Sequence, residues 1–231
     1  EPKIVKYLDM PIQHTDDRVL ASMNRRLTKE KLFSVISRLR ERIPGIVFRT
    51  SIIVGFPGET EAEFLALSAD LEMLGLDHVG VFRYSKEEGT KAAEMDGQIH
   101  PGTKRRRAKS LTSMLQRQSA RNNEKYVGKT VTVLVEGPSE ETELLVQGRM
   151  ATQAQEIDGH VLVNDLGERA VELTAGDLIE VEITEAMPHD LVGRMTRVLS
   201  RARSPLAQAE MGLRVALPVE RPLQAGAGQI G

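Results

Sequence analysis

The chain has 231 residues, of which 40% are hydrophobic and 28% charged, enough for one large domain or two modest ones of a soluble globular protein. No apolar run approaches the length that crosses a bilayer, and the absence of cysteine excludes disulfides, thiol nucleophiles and thiolate-held zinc or iron–sulfur sites within these residues. The net charge of −2 hides an asymmetry: residues 1–126 carry 22 Lys/Arg against 17 Asp/Glu, residues 127–200 carry 5 against 14, and residues 201–231 carry 4 against 2.

The first residues, EPKIVKYLDM, show neither an initiator Met nor a signal-peptide layout, so the chain is expected to begin inside a domain. Ile4 to Ile12 reads as a strand ending near Pro11. "DRVLASM" and "TKEKLFSVISRLRERI" have apolar residues at helical spacing, with Thr28 as N-cap and Pro44-Gly45 as a stop. Ile46 to Gly55 is a β-branched run short enough for a buried strand. "ETEAEFLALSADLEMLGL" is helical, with Gly75 at its C-cap, and "DHVGVFRYS" is a third strand. This alternation predicts βαβ units with a parallel sheet. Lys104 to Lys125, with its basic run "KRRRAK", is expected to be a long helix leaving that sheet. From Val131 onward the pattern changes to short β-rich runs separated by turn signals, which predicts a small all-β barrel or sandwich. The last thirty residues have no period and are expected to be disordered.

In parallel α/β architectures, ligands sit beyond the carboxyl ends of the strands, where glycines let the backbone approach them. "SIIVGFPGETEAEF" places Gly55 and Gly58 at such an end, although glycine with proline is also ordinary turn chemistry.

Three ordered segments, "YLDMPIQHTDDRVLASMNRR", "SIIVGFPGETEAEF" and "VFRYSKEEGTKAA", resemble the radical S-adenosylmethionine methylthiotransferases, and the all-β region resembles the TRAM domain that ends those enzymes. The resemblance covers about residues 1 to 200 and leaves the tail without a counterpart. It implies an α/β fold, the C-terminal part of a (β/α) partial TIM-like barrel (1–126), then a small all-β, OB-like TRAM barrel (127–200) and a disordered tail (201–231). Within the family, "PIQH" and "GVFRYSKEEGT" are similar to the branch that methylthiolates an aspartate of a small-subunit ribosomal protein. The tRNA-modifying branch usually has Gln-Ser-Gly where this chain has Gln13-His14-Thr15. Charge points the same way: a β-domain of net −9 suits a basic ribosomal protein better than RNA, unless its acids are merely a solvated face.

The resemblance implies S-adenosylmethionine as cofactor. Gln13 and Arg25 match positions that hold its ribose and its methionyl carboxylate, as an amide and a guanidinium can; alternatively Gln13 caps a turn and Arg25 is a surface residue. Ser51 stands where relatives often carry a ribose-binding aspartate, leaving a weaker hydroxyl contact. Gly55, Phe56, Pro57 and Gly58 resemble the turn lining the adenine and methionine side, where the glycines would leave space for the ligand. Tyr84 and Ser85 are candidates for adenine contact, or Tyr84 packs on the barrel rim. His14 either meets the substrate carboxylate or a moving proton, or is structural. Glu59 is assigned to the helix dipole. "KRRRAK" is read as a solvated helix face or a contact with ribosomal RNA.

The family's CxxxCxxC motif, which holds a 4Fe–4S cluster, is absent, as are the upstream domain and its second 4Fe–4S cluster, so neither cluster is ligated here and no metal ligand is assigned. In the whole enzyme the resemblance implies a 5′-deoxyadenosyl radical that takes hydrogen from the aspartate β-carbon. These residues alone are expected to be inactive, monomeric and cytoplasmic, with no membrane association. Two other readings stay open: a non-catalytic module that binds a ribosomal protein, and a tRNA methylthiotransferase.

Overall fold

A computed structural model describes residues 3–139, 142, 144–167 and 172–202. The tail expected to be disordered falls almost wholly outside them. The described residues form two units: Glu1–Tyr126 with Ala151–Asp158 and Ala186–His189, and Val127–Met150 with Gly159–Glu185 and the described residues from Asp190 onward.

In the first unit, strands β1 (Tyr7–Asp9), β2 (Val47–Val54) and β3 (His78–Arg83) form a parallel sheet in that order. Strand β2 is central, and its alternate residues Phe48, Thr50, Ile52 and Val54 are buried. The crossovers are helices α1 (Asp17–Ser22), α2 (Lys29–Arg42) and α3 (Glu61–Leu74), followed by α4 (Lys91–Glu94) and α5 (Pro101–Asn123). Their ends follow local chemistry. Thr28 caps α2, Thr60 and Glu63 form a reciprocal capping box on α3, and Gly75 ends α3 in the left-handed conformation. Helix α5 begins three residues before the predicted start, because His100 caps it and Pro101 suits its first turn.

This long helix does not leave the sheet. Leu111, Met114 and Leu115 of α5 join Ile52 and Val54 of β2 and Phe64, Leu67 and Leu71 of α3 in one core. Burying that apolar stripe is what holds α5 against the sheet instead of letting it leave.

The second unit is a closed barrel in the order β4-β5-β6-β8-β7, made of β4 (Thr130–Pro138), β5 (Val146–Arg149), β6 (Val161–Asp165), β7 (Leu178–Ala186) and β8 (Leu191–Ser200). Closure removes the sheet edges and fills the interior with Val133, Val135, Val161, Val163, Ile179, Val181 and Ile183. Strands β6 and β8 pair in parallel, while the β4-β5, β5-β6 and β4-β7 pairings are antiparallel. The charged residues of β7 and β8 pair outside the core: Glu182 with Arg194 and Glu180 with Arg197, each at 2.9 Å.

Candidate functional site

A cavity of about 690 Å³ opens beyond the carboxyl ends of β1, β2 and β3. Gln13, Arg25, Phe56, Tyr84 and Ser85 line it together and come from all three of the ordered sequence segments. Gln13 is held there by an extension of the sheet. Its N–H donates to the Ser51 carbonyl and its own carbonyl accepts from Ile53 N–H, both at 2.9 Å, while its φ of 72° is uncommon for a residue with a side chain. Arg25 follows the end of α1, where its N–H donates to Leu20 O at 2.8 Å and the preceding Asn24 has φ 57°. Of the three non-glycine residues with positive φ among the described residues, Gln13 and Asn24 both line this cavity, which is where tolerated backbone strain usually marks function.

The Tyr84 ring meets Phe56 edge-on with centroids 5.3 Å apart, and Tyr84 N–H donates to Val54 O, prolonging the β2–β3 ladder. Its hydroxyl is buried without a hydrogen-bond partner among the described residues. Lys104, on α5, places its ammonium 4.6 Å from the Tyr84 ring centre and donates to the Tyr84 carbonyl at 3.1 Å. Burial pushes the Lys104 pKa down.

Ser51, Gly55, Pro57 and Gly58 do not line the cavity. Ser51 lies within β2, opposite Gly80. The space beside Gly55 is taken by the protein itself: a Cβ there would stand 2.5 Å from Lys104 Cγ, and φ is 77°. Gly55 is thus required by its conformation and by the Lys104 stem, not by room for a ligand. The turn is fastened from both sides, with Gly58 N–H donating to Gly97 O at 2.9 Å and Gly58 O accepting from Arg18 at 2.8 Å.

His14 is fully buried and is not at the cavity. Its Nδ1 accepts the Asp16 N–H at 3.0 Å, so the opposite nitrogen carries the proton, and that Nε2 stands 3.8 Å from Glu59 Oε1. Glu59 does not serve a helix dipole. It precedes the Thr60 cap, and its carboxylate, 2% exposed as a residue, folds back to accept the Gly55 N–H. Arg107 of α5 supplies the counter-charge at 3.2 Å, bonds the Glu59 carbonyl at 3.1 Å and reaches Glu61 at 3.0 Å. The basic run is therefore largely engaged inside the unit: Lys104 on Tyr84, Arg106 on Glu61 and Arg107 on Glu59. Its signal in sequence was available but ambiguous, since the acids that meet it lie 45 to 48 residues away.

At the start of α3, Arg18 donates twice to Glu63 at 2.6 Å, and this pairing holds the Glu63 carboxyl down to about 2.

Residues 2–71 match the Radical SAM superfamily and residues 127–196 match the TRAM domain. A protein called ribosomal protein uS12 methylthiotransferase RimO, from Trichlorobacter lovleyi, is 48% identical over 195 residues, which cover 84% of this chain and 42% of that protein. Its namesakes from Anaeromyxobacter strain K and strain Fw109-5 are each 47% identical, over 210 and 223 residues, covering 90% and 95% of this chain and 44% and 46% of theirs. The chain spans less than half the length of these relatives. A match over 95% of 231 residues cannot stop at residue 200, so part of the tail has a counterpart in that relative, contrary to the expectation from motifs alone.

Proposed function

A radical SAM segment followed by a TRAM domain, in a chain similar along most of its length to uS12 methylthiotransferases, makes it a member of the radical SAM methylthiotransferase family, and from that premise we propose that it is the S-adenosylmethionine-binding wall and substrate-docking barrel of an enzyme that methylthiolates an aspartate β-carbon of a small-subunit ribosomal protein. The observation that carries this reading is the cavity that gathers Gln13, Arg25, Phe56, Tyr84 and Ser85 at the strand ends. Its contents fit the cofactor. Arg25 offers a planar fork for a carboxylate, Gln13 an amide for a diol, and Phe56 with Tyr84 an apolar wall for a flat base. When bound, S-adenosylmethionine supplies the radical chemistry. The residues of this chain bind and orient it and keep water away.

The clusters do not fit this chain in the same way, since it has no cysteine to offer a thiolate. Both 4Fe–4S clusters of the whole enzyme are assigned to residues outside it, and the 231-residue chain alone is proposed to be inactive. Its acidic barrel is proposed to dock a basic ribosomal protein, in the cytoplasm and as a monomer. Of the barrel's arginines, Arg149, Arg194 and Arg197 are each paired with a glutamate at 2.9 Å, which leaves little cationic surface for RNA. No helix among the described residues is long and apolar enough to cross a membrane.

Titration of the 231-residue chain with purified uS12 and with tRNA tests the docking half. The expected result is salt-weakened binding to uS12 alone; submillimolar binding to tRNA with none to uS12 would refute it. Iron retained by this chain after anaerobic reconstitution would refute the assignment of the clusters.

A further inference from the structure

The cavity carries more positive charge than its proposed cofactor needs. Arg25, Arg83 and Lys91 all line it, and no carboxylate does. None of the three makes a side-chain hydrogen bond or an ion pair among the described residues. The rest of the lining includes Ile53, Phe56 and Phe82, apolar walls that strengthen any charge interaction made against them. A methionyl carboxylate occupies one cation, assigned above to Arg25. Two remain unneutralised. Arg83 is the last residue of β3 and Lys91 the first of α4, the next element in the chain.

We infer that Arg83 and Lys91 form a second anion site in this cavity, which takes the carboxylate side chain of the protein substrate and so selects an acidic residue over its neutral amide. This rests on the function proposed above and adds its specificity determinant. The chemistry is that of a guanidinium fork on a carboxylate, reinforced by an ammonium point charge. A side chain lacking the negative charge leaves both cations unpaired, which is how a polar site rejects a near-isostere. A nucleic-acid phosphate would also satisfy two cations, but the acidic barrel in the same chain opposes that ligand.

The test uses the full-length protein that carries this chain, with four probes: S-adenosylmethionine, a uS12 peptide containing the target aspartate, the same peptide with asparagine, and tRNA. Arg83 and Lys91 are both exposed, so Arg83→Gln and Lys91→Met are not expected to impair folding. Each variant is expected to weaken the aspartate peptide at least about tenfold while leaving the asparagine peptide and S-adenosylmethionine within about twofold. Equal losses for both peptides, a matching loss of S-adenosylmethionine, or tRNA binding that Arg83→Gln abolishes would each overturn the inference. If the wild-type protein binds S-adenosylmethionine but neither peptide, the substrate reading itself fails, and this inference falls with it.

Discussion

Replacing Arg107 by Met isolates the contribution of the buried clasp beneath the glycine turn. The Arg107 and Glu59 side chains are 4% and 0% exposed and stand 3.2 Å apart. Methionine fills much of the arginine's volume but leaves the Glu59 carboxylate buried with the Gly55 N–H as its remaining hydrogen-bond partner. Removing one partner of a buried pair costs about 3–5 kcal/mol, a large share of the stability of an ordinary domain. Glu59→Gln should cost less, about 1–3 kcal/mol, because the amide oxygen still accepts from Gly55 and Arg107 keeps Glu61 at 3.0 Å. The double variant should lose less than the sum of the two, since each single change already breaks the shared contact. All five α-helices of the described residues lie within 1–126, so urea unfolding followed by far-ultraviolet circular dichroism reports on this unit. A loss below about 1 kcal/mol for Arg107→Met, or a larger loss for Glu59→Gln, would refute the clasp.

Arg18 holds Glu63 at about 2 against an ordinary 4.5, so the folded state binds this proton less readily than the unfolded chain. The stabilisation is therefore complete above about pH 4.5 and is lost as pH falls towards 2. It should amount to about 1 kcal/mol because Arg18 is half-exposed, and Arg18→Gln should flatten stability across that window in acid-unfolding curves. Gly55→Ala drives a Cβ into Lys104 at a φ of 77°, so it should cost about 1–3 kcal/mol in the same urea assay. Arg25→Gln should weaken S-adenosylmethionine binding by the full-length protein about tenfold or more, with unchanged thermal stability, as measured by calorimetric titration.

Strands β2 and β3 were legible because their signals are local, whereas β1 occupies only Tyr7–Asp9 of the Ile4–Ile12 run read as a strand. The β-branched run of β2, the Thr60–Glu63 box and Gly75 each act within a few residues of where they are read. Motif resemblance named five of the residues that line the cavity, Gln13, Arg25, Phe56, Tyr84 and Ser85, but neither Arg83 and Lys91 beside them nor the positive φ that holds Gln13 in place. What escaped depends on distant partners. Arg107 reads as one of several exposed cations until α5 folds back across β2 and α3 and puts it beside Glu59, 48 residues earlier. Lys104 likewise explains Gly55 only once the two elements are packed together. Helix α4 has four residues, too few to show a period. Barrel closure needs the parallel β6–β8 pairing between strands that are not consecutive, which alternation within each strand cannot encode.

The most direct test of the account is a competition between substrates. The full-length protein, reconstituted anaerobically and supplied with S-adenosylmethionine, would be offered uS12 and tRNA together, and both would be analysed by mass spectrometry. The account predicts one methylthio group on an aspartate of uS12 and unmodified tRNA; methylthiolated tRNA beside unmodified uS12 would contradict it.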